Sequence, residues 1–219
     1  MSGALTLALE AATSTGSVAI LSGLRVLATR EVAMRGGAEE HLLPAIEAAL
    51  LEVGATTRDL ERIICGSGPG SFTSLRVSAS LAKGIAFARS LPLFAVPSLA
   101  LIAADPSLTD GMYVAILDAL RGEVFASVFE RAGDQVKQVG SLRLVHRDGL
   151  AHEAVVLHAK VIGPEEHPRT PPRAANVVRL GAWLALPPVS LESWEPDYGR
   201  LAEAQVKWEI AHGRPLPVL

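Results

Sequence analysis

A chain of 219 residues, 49% hydrophobic and 20% charged, can bury a substantial core, and it excludes a largely disordered or highly charged tail protein. Its 20 Lys+Arg against 23 Asp+Glu give a formal charge of −3, so no overall positive field is available to displace counterions from a polynucleotide. The lone Cys65 excludes an intramolecular disulfide and a four-thiolate zinc site and points to a reducing compartment, with the cytoplasm as the expected location. The opening MSGALTLALEAATSTG lacks the basic and apolar regions of a secretory leader, and no later stretch runs about 18 apolar residues, so the expectation is a chain neither secreted nor membrane-spanning.

Residues 5–10 form a β-favourable run, followed by the turn-rich 11–16, a second run at 17–21, a Ser22-Gly23 turn and a third strand at 24–33. Three antiparallel strands therefore open the fold. After Arg35-Gly36-Gly37, residues 38–53 place Leu42, Leu43, Ile46, Ala49, Leu50 and Val53 at three- and four-residue spacing, which predicts an amphipathic helix. Pro44 fits if it falls in the first turn, where its missing amide costs nothing, and Gly54 is a suitable stop. A capping-type start at 57–62 leads into a buried strand at 63–66, a long helix at 73–90, a short strand at 92–96 and a short helix at 98–104. The long helix carries Ser78, Ala79, Ser80, Ala82, Gly84, Ala86 and Ala88 around most of its circumference, which predicts close packing on more than one side.

Turn formers at 105–111 mark the best lobe boundary. Strands are predicted at 113–118, 123–130 and 136–145, echoing the opening of the first lobe. Residues 147–173 combine a short apolar run at 154–157, read as a strand, with a Pro- and charge-rich loop at 163–173. A helix at 174–186 ends at Pro187-Pro188, and a last helix is predicted at 201–211, followed by a loose tail.

The strongest local signal for chemistry is Gly66-Ser67-Gly68-Pro69-Gly70-Ser71-Phe72-Thr73-Ser74-Leu75-Arg76, a Gly-rich turn from a buried strand into a helix. Exposed first-turn amides and the positive end of the helix dipole favour a phosphate or carboxylate there; the plain alternative is a sharp turn capped by Ser71 or Thr73. The Gly-Lys-Ser/Thr ending of a P-loop is missing. Asp118, Arg121 and Glu123 form a charged hairpin tip that could hold Mg²⁺ through water, or be a solvated turn. Glu10 with Thr13, Ser14, Thr15 and Gly16 is a third candidate, in competition with ordinary turn chemistry. The six histidines show no i, i+4 pair, no Gly-x-Ser-x-Gly elbow is present, and Cys65 in an apolar strand reads as structural. No metal-ligand set and no catalytic residue is therefore assigned.

The hairpin start, the Leu42-Leu43-Pro44 helix, GSGPGSFTSLRVSASLAKGIA at 66–86 and Asp118-Ala-Leu-Arg-Gly-Glu-Val-Phe125 together resemble the TsaB (YeaZ) family. The middle motif carries most of the weight, matching the family pattern at Gly68 through Thr73, Leu75, Arg76 and Ala82-Lys83-Gly84. Pro196-Asp-Tyr198-Gly-Arg200 resembles the family's closing pattern. The chain departs from the pattern at Glu10-Ala11-Ala12 in place of Asp-Thr-Ser, at Ser74 for Gly, at Leu120 for Arg and at Ala38 for a frequent His. Each departure weakens a phosphate site.

The resemblance implies an α/β, actin-like ATPase fold related to ribonuclease H (the ASKHA superfamily), with two lobes, each a mixed sheet flanked by helices. The expected division is a first lobe at 1–104, joined by the C-terminal helix 201–212, and a reduced second lobe at 105–200. It implies a non-catalytic scaffold for transfer of threonylcarbamoyl from threonylcarbamoyl-AMP to N6 of the adenosine beside the anticodon in tRNAs reading ANN codons. The implied partners are a catalytic TsaD-like paralogue, a TsaE-like ATPase, a second copy when the paralogue is absent, and tRNA only through the complex. The implied interface comprises Leu42, Leu43, Ile46, Leu50, Phe72, Leu75, Arg76, Ala79 and Lys83. Anion or nucleotide contacts would fall on Thr13, Gly68, Pro69, Gly70, Ser71, Asp118 and Arg121, with no cofactor tightly bound and ATP or ADP expected, if anywhere, at the joint with the partner. Two competing readings are an independent ATP-dependent phosphotransferase built on Gly68-Pro69-Gly70 and Asp118, and a peptidase, for which no activated nucleophile or metal set is present.

Overall fold

The computed structural model describes residues 5–34, 41–199 and 212–213. The predicted helix at 201–211, Arg200, Ala38 and Arg35-Gly36-Gly37 lie outside them. The first sheet runs β3-β2-β1-β4-β5, with β1 Leu5–Glu10, β2 Thr15–Ser22, β3 Arg25–Ala33, β4 Leu60–Gly66 and β5 Leu93–Val96. The first three strands are antiparallel neighbours, while β4 lies parallel to β1, setting Leu7 beside Ile63 and Leu9 beside Cys65. The parallel pairs β1–β4 and β4–β5 need crossovers, which helices α1 (Leu42–Glu52) and α2 (Phe72–Arg89) supply.

Period-two alternation decides what each face of this sheet meets. Leu5, Leu7 and Leu9 of β1, with Ile63 and Cys65 of β4, pack under Leu42, Ile46 and Leu50 of α1 and Ala82 and Ala86 of α2. Ala8 and Ile64 face the opposite way, into a core shared with α3 (Ser98–Ala103) and the second lobe. The two long helices thus lie on the face away from the second lobe, apart from the start of α2, where Leu75 enters the shared core. Pro44 is the third residue of α1, within the first turn.

The second sheet contains β6 Gly111–Asp118, β7 Glu123–Ala132, β8 Gln135–Gln138, β9 Arg143–His146 and β10 Ala159–Ile162, ordered β10-β6-β7-β8 with β9 also on β7. Tyr113, Leu117, Phe125 and Phe129 supply its side of the shared core. Each lobe therefore has a mixed sheet flanked by helices, the actin-like arrangement.

Three sequence expectations need correction here. The single strand at 136–145 is two, β8 and β9, because Gly140 packs against Val128 and its carbonyl takes Ser127 Oγ at 2.7 Å and Gln138 Nε2 at 2.9 Å, turning the chain between them. The run at 154–157 falls largely within helix α4 (Leu150–Val156), where Leu150 and Ala154 are the buried pair at i, i+4, and an ion pair from Arg143 to Glu153 ties it to β9. The helix at 174–186 divides into a 3₁₀ segment, Ala174–Arg179, and a short α5, Gly181–Leu184, because Ala174 and Asn176 are committed to the first lobe. Ala174 N donates to Ser17 Oγ at 2.9 Å and Asn176 Nδ2 to the Leu101 carbonyl at 2.9 Å.

The Asp105 region, expected as a lobe boundary, is a junction of side chains. Its carboxylate accepts from Ser107 N at 2.9 Å and Arg173 at 3.3 Å, Arg173 also reaches Glu31 of β3 at 2.8 Å, and Arg131 of β7 donates to the Asp105 carbonyl.

Candidate functional site

The Gly-rich loop between β4 and α2 is where an anion could be cupped, and its backbone is largely committed. Ser67 N donates to the Val96 carbonyl at 2.8 Å, Gly68 N to Ser98 Oγ at 3.1 Å, and Ser71 N to the Ala12 carbonyl at 2.7 Å. Pro69 has no amide to give. On the acceptor side, the Ser67 carbonyl takes Asp197 N at 2.7 Å and the Gly68 carbonyl takes Ser98 N at 2.9 Å. Ser71 and Ser74 face each other, Oγ to Oγ, at 3.0 Å. The glycines are required by close approach: a Cβ at Gly68, whose φ is +90°, would stand 2.2 Å from the Asp197 carbonyl oxygen, and one at Gly70 would stand 2.3 Å from that of Ala12.

Beneath the loop lies Glu10, fully buried at the end of β1. Its carboxylate accepts from Ala12 N at 2.5 Å and Ser98 Oγ at 2.8 Å, and also from Ala11 N. Burial pushes this carboxyl up to about 7, against the lowering effect of those three donors. The same hydroxyl of Ser98 accepts from Gly68 N, so Glu10, Ser98 and the loop form one chain of contacts. Ser98 was not singled out in the sequence; a serine directly after Pro97 at a helix start was the available signal. Cys65, in the adjacent strand, is pushed up to about 12, first by burial and then by the nearby Glu10 charge, which keeps it a thiol.

Thr13 and Asp118, two of the other expected contacts, are engaged within their own loops. Thr13 Oγ1 donates to the Thr15 carbonyl at 2.9 Å and accepts from Thr15 N at 3.1 Å. Asp118 Oδ1 accepts from Leu120 N at 3.1 Å, closing a hairpin whose tip residues Leu120 and Arg121 have φ of 64° and 58°. Among the described residues no group of three His, Cys, Asp or Glu side chains is placed to hold a metal.

Of the residues expected at a partner interface, Leu42, Ile46, Leu50, Leu75 and Ala79 are buried by the chain itself. The i, i+4 row of α1 that begins at Leu42 faces the sheet, and Leu75 belongs to the core shared by the lobes, so their apolar surface is already used. Leu43, Phe72 and Arg76 stand on the outside and Lys83 is half-buried, donating to the Trp194 carbonyl at 2.9 Å. Leu51 of α1 and Phe87 of α2 are 79% and 80% exposed. The Arg76 guanidinium lies 5.1 Å from the Phe72 ring centroid, and a shallow groove is lined by Phe72, Thr73, Arg76, Val77, Ser80 and Leu81.

Comparison with known proteins is consistent across sequence and structure. The family model described as TsaD, tRNA N6-adenosine threonylcarbamoyltransferase, matches residues 31–176. The chain is 26% identical to the Bacillus subtilis (strain 168) tRNA threonylcarbamoyladenosine biosynthesis protein TsaB, across 92% of this chain and 96% of that protein. It is 29% identical to the Escherichia coli (strain K12) protein of the same name, across 67% of this chain and 64% of that one. Among solved structures, YeaZ from Pseudomonas aeruginosa superposes with a TM-score of 0.73 at 26% identity, covering 89% of this chain and 99% of that one.

Proposed function

The chain belongs to the TsaB (YeaZ) family, and from that premise we propose that it is the non-catalytic scaffold subunit of the machinery that makes threonylcarbamoyladenosine in tRNA. In this reading a catalytic TsaD-like paralogue transfers threonylcarbamoyl from threonylcarbamoyl-AMP to N6 of the adenosine beside the anticodon, and this chain has no activity of its own. A TsaE-like ATPase joins the assembly, tRNA meets this chain only through the complex, and a second copy takes the paralogue's place when that is absent. The chain divides after Ala104 into two lobes, works in the cytoplasm, and binds no nucleotide tightly by itself; ATP or ADP is held, if at all, at the joint with the paralogue.

One observation carries the reading. Both long helices of the first lobe pack on the side of the sheet away from the second lobe, apart from the start of α2, where Leu75 enters the shared core, and they present Leu43, Leu51, Phe72, Arg76 and Phe87 outward. Aromatic residues and arginine are the side chains that anchor protein interfaces, and a contact of about 800 Å² per partner is enough for a specific pair. The phosphotransferase alternative gains nothing from the loop, where the amides of Ser67, Gly68 and Ser71 are committed internally.

Co-expression with the paralogue tests it. The wild-type chain should co-purify at equal stoichiometry and restore threonylcarbamoyladenosine in depleted cells, and a Leu51→Asp/Phe87→Asp variant should do neither while melting like the wild type. Full restoration by that variant, or ATP turnover by the isolated chain, would refute the scaffold reading.

A further inference from the structure

The segment that follows Pro187-Pro188 is neither helix nor strand, yet it is anchored at closely spaced points. Val189 N donates to the Leu93 carbonyl of β5 at 2.8 Å, Lys83 Nζ donates to the Trp194 carbonyl at 2.9 Å, and Asp197 N donates to the Ser67 carbonyl at 2.7 Å. Val189, Leu191 and Trp194 pack on the outer core beneath α1 and α2, whereas Tyr198 packs on the core shared by the lobes. The residues on either side of Tyr198 are fixed as well. Gly199 N donates to Asp197 Oδ1 at 2.8 Å, and a Cβ at Gly199 would stand 2.3 Å from the ring of Phe125 in the second lobe.

The ring held in this way meets the outer surface of α2. Phe72, the first residue of that helix, lies at a centroid distance of 4.5 Å from Tyr198, and the Arg76 guanidinium, one turn further along, lies 5.1 Å from the Phe72 centroid, so the three side chains form one stack. Burial and the Glu195 charge raise the Tyr198 hydroxyl while the Arg76 charge lowers it, which puts the guanidinium within electrostatic reach of the same residue. Phe72 is 39% exposed, and among the described residues no carboxylate pairs with Arg76 and no hydrogen bond holds it. We propose that Tyr198 is a positioning residue of the face that binds the paralogue: its ring holds Phe72, and Phe72 holds the Arg76 guanidinium open to acceptor groups of the paralogue. The proposal rests on the scaffold reading above and adds to it a residue that belongs to neither helix. Ordering a long side chain on association weakens binding, so a guanidinium already stacked in the free chain favours capture. Phe72 and Arg76 also line the shallow groove on α2, and the place of the stack therefore sets the shape of that groove.

Calorimetric binding of the full chain to the purified paralogue tests this role through a double-mutant cycle, with thermal melting of every variant as the control for folding. Tyr198→Ala should bind about three- to tenfold more weakly, and Tyr198→Phe, which keeps the ring, should bind like the wild type. In a Phe72→Ala background, where the ring has nothing to hold, Tyr198→Ala should cost less than about twofold more. If Tyr198→Ala melts below the assay temperature, Tyr198→Leu decides in its place, since it fills the core contact without offering a flat face. Unchanged affinity on loss of the ring, an equal loss in Tyr198→Phe, or full additivity with Phe72→Ala would overturn the proposal and leave the scaffold reading in place. A wild-type chain that does not bind the paralogue would refute both.

Discussion

The Glu10 carboxylate rests on the Cα of Gly66: a methyl group at position 66 would stand 1.9 Å from Glu10 Oε2 and 3.3 Å from Ser98 Oγ. The longest possible carboxylate arm at the end of β1 is thus accommodated by the smallest possible residue at the end of β4. Gly66→Ala alone should destabilise the chain by about 1–3 kcal/mol through overpacking, and the penalty should shrink in a Glu10→Ala background. Urea unfolding of the four chains gives the coupling directly, and simple additivity would mean that the two residues do not share the space.

The same carboxyl makes stability depend on pH. Its value in the folded chain, about 7, lies above the usual 4.5, so the folded state binds this proton more tightly than the unfolded state does. Its contribution is fully present below about pH 4.5 and is lost as pH rises through 7, an effect of roughly 3 kcal/mol at full extent. Unfolding free energy should therefore fall between pH 5 and 8 in the wild type, and Glu10→Gln should flatten that slope. A wild-type profile that rises over this interval would contradict the assignment.

Two consecutive residues of α2 should respond in opposite ways. Leu75 is completely buried in the core shared by the lobes, and Leu75→Asp should cost roughly 4 kcal/mol or more by placing a charge there. Arg76 is exposed beside Phe72, and Arg76→Glu should change stability by no more than about 0.5 kcal/mol while weakening capture of the paralogue roughly tenfold or more. Thermal melting and co-purification of the two variants separate the outcomes.

Cys65 has no exposed surface, and burial together with the Glu10 charge keeps it protonated. A thiol reagent should therefore label it only when the first sheet opens, at a rate at least about a thousandfold below that in urea. Rapid labelling in native buffer would mean that β4 is reached without unfolding.

The first lobe was legible because its elements obey one period at a time. Leu5–Glu10 and the helical run of α2 match the predicted bounds within one residue, α1 ends within one residue of its predicted end while the start predicted at 38 lies outside the described residues, and the motif at 66–76 marks the loop directly. What the spacing of Leu42, Ile46 and Leu50 could not say was that the chain's own sheet would use the whole of that row, leaving Leu43 and Leu51 of the neighbouring row, which Glu47 interrupts, on the outside. The second lobe was harder to read. An apolar run as short as 154–157 suits either a strand or a helix, and only its contact with β10 and the Arg143–Glu153 pair decides for helix. The partners of Glu10 were hidden for a different reason: Ser98 lies 88 positions away in sequence, and no local pattern encodes a contact of that span.

The bond from Val189 N to the Leu93 carbonyl has a consequence for how this protein can associate. It occupies the margin of β5, and the opposite margin, β3, carries Arg25, Arg30 and Glu31, charges that discourage a foreign strand from adding on. Recruitment of other chains to this lobe is thereby left to side chains on helices, which can be exchanged one at a time without disturbing the ladder of the sheet. A surface of that kind lets affinity be retuned by point substitution while the architecture beneath it stays fixed.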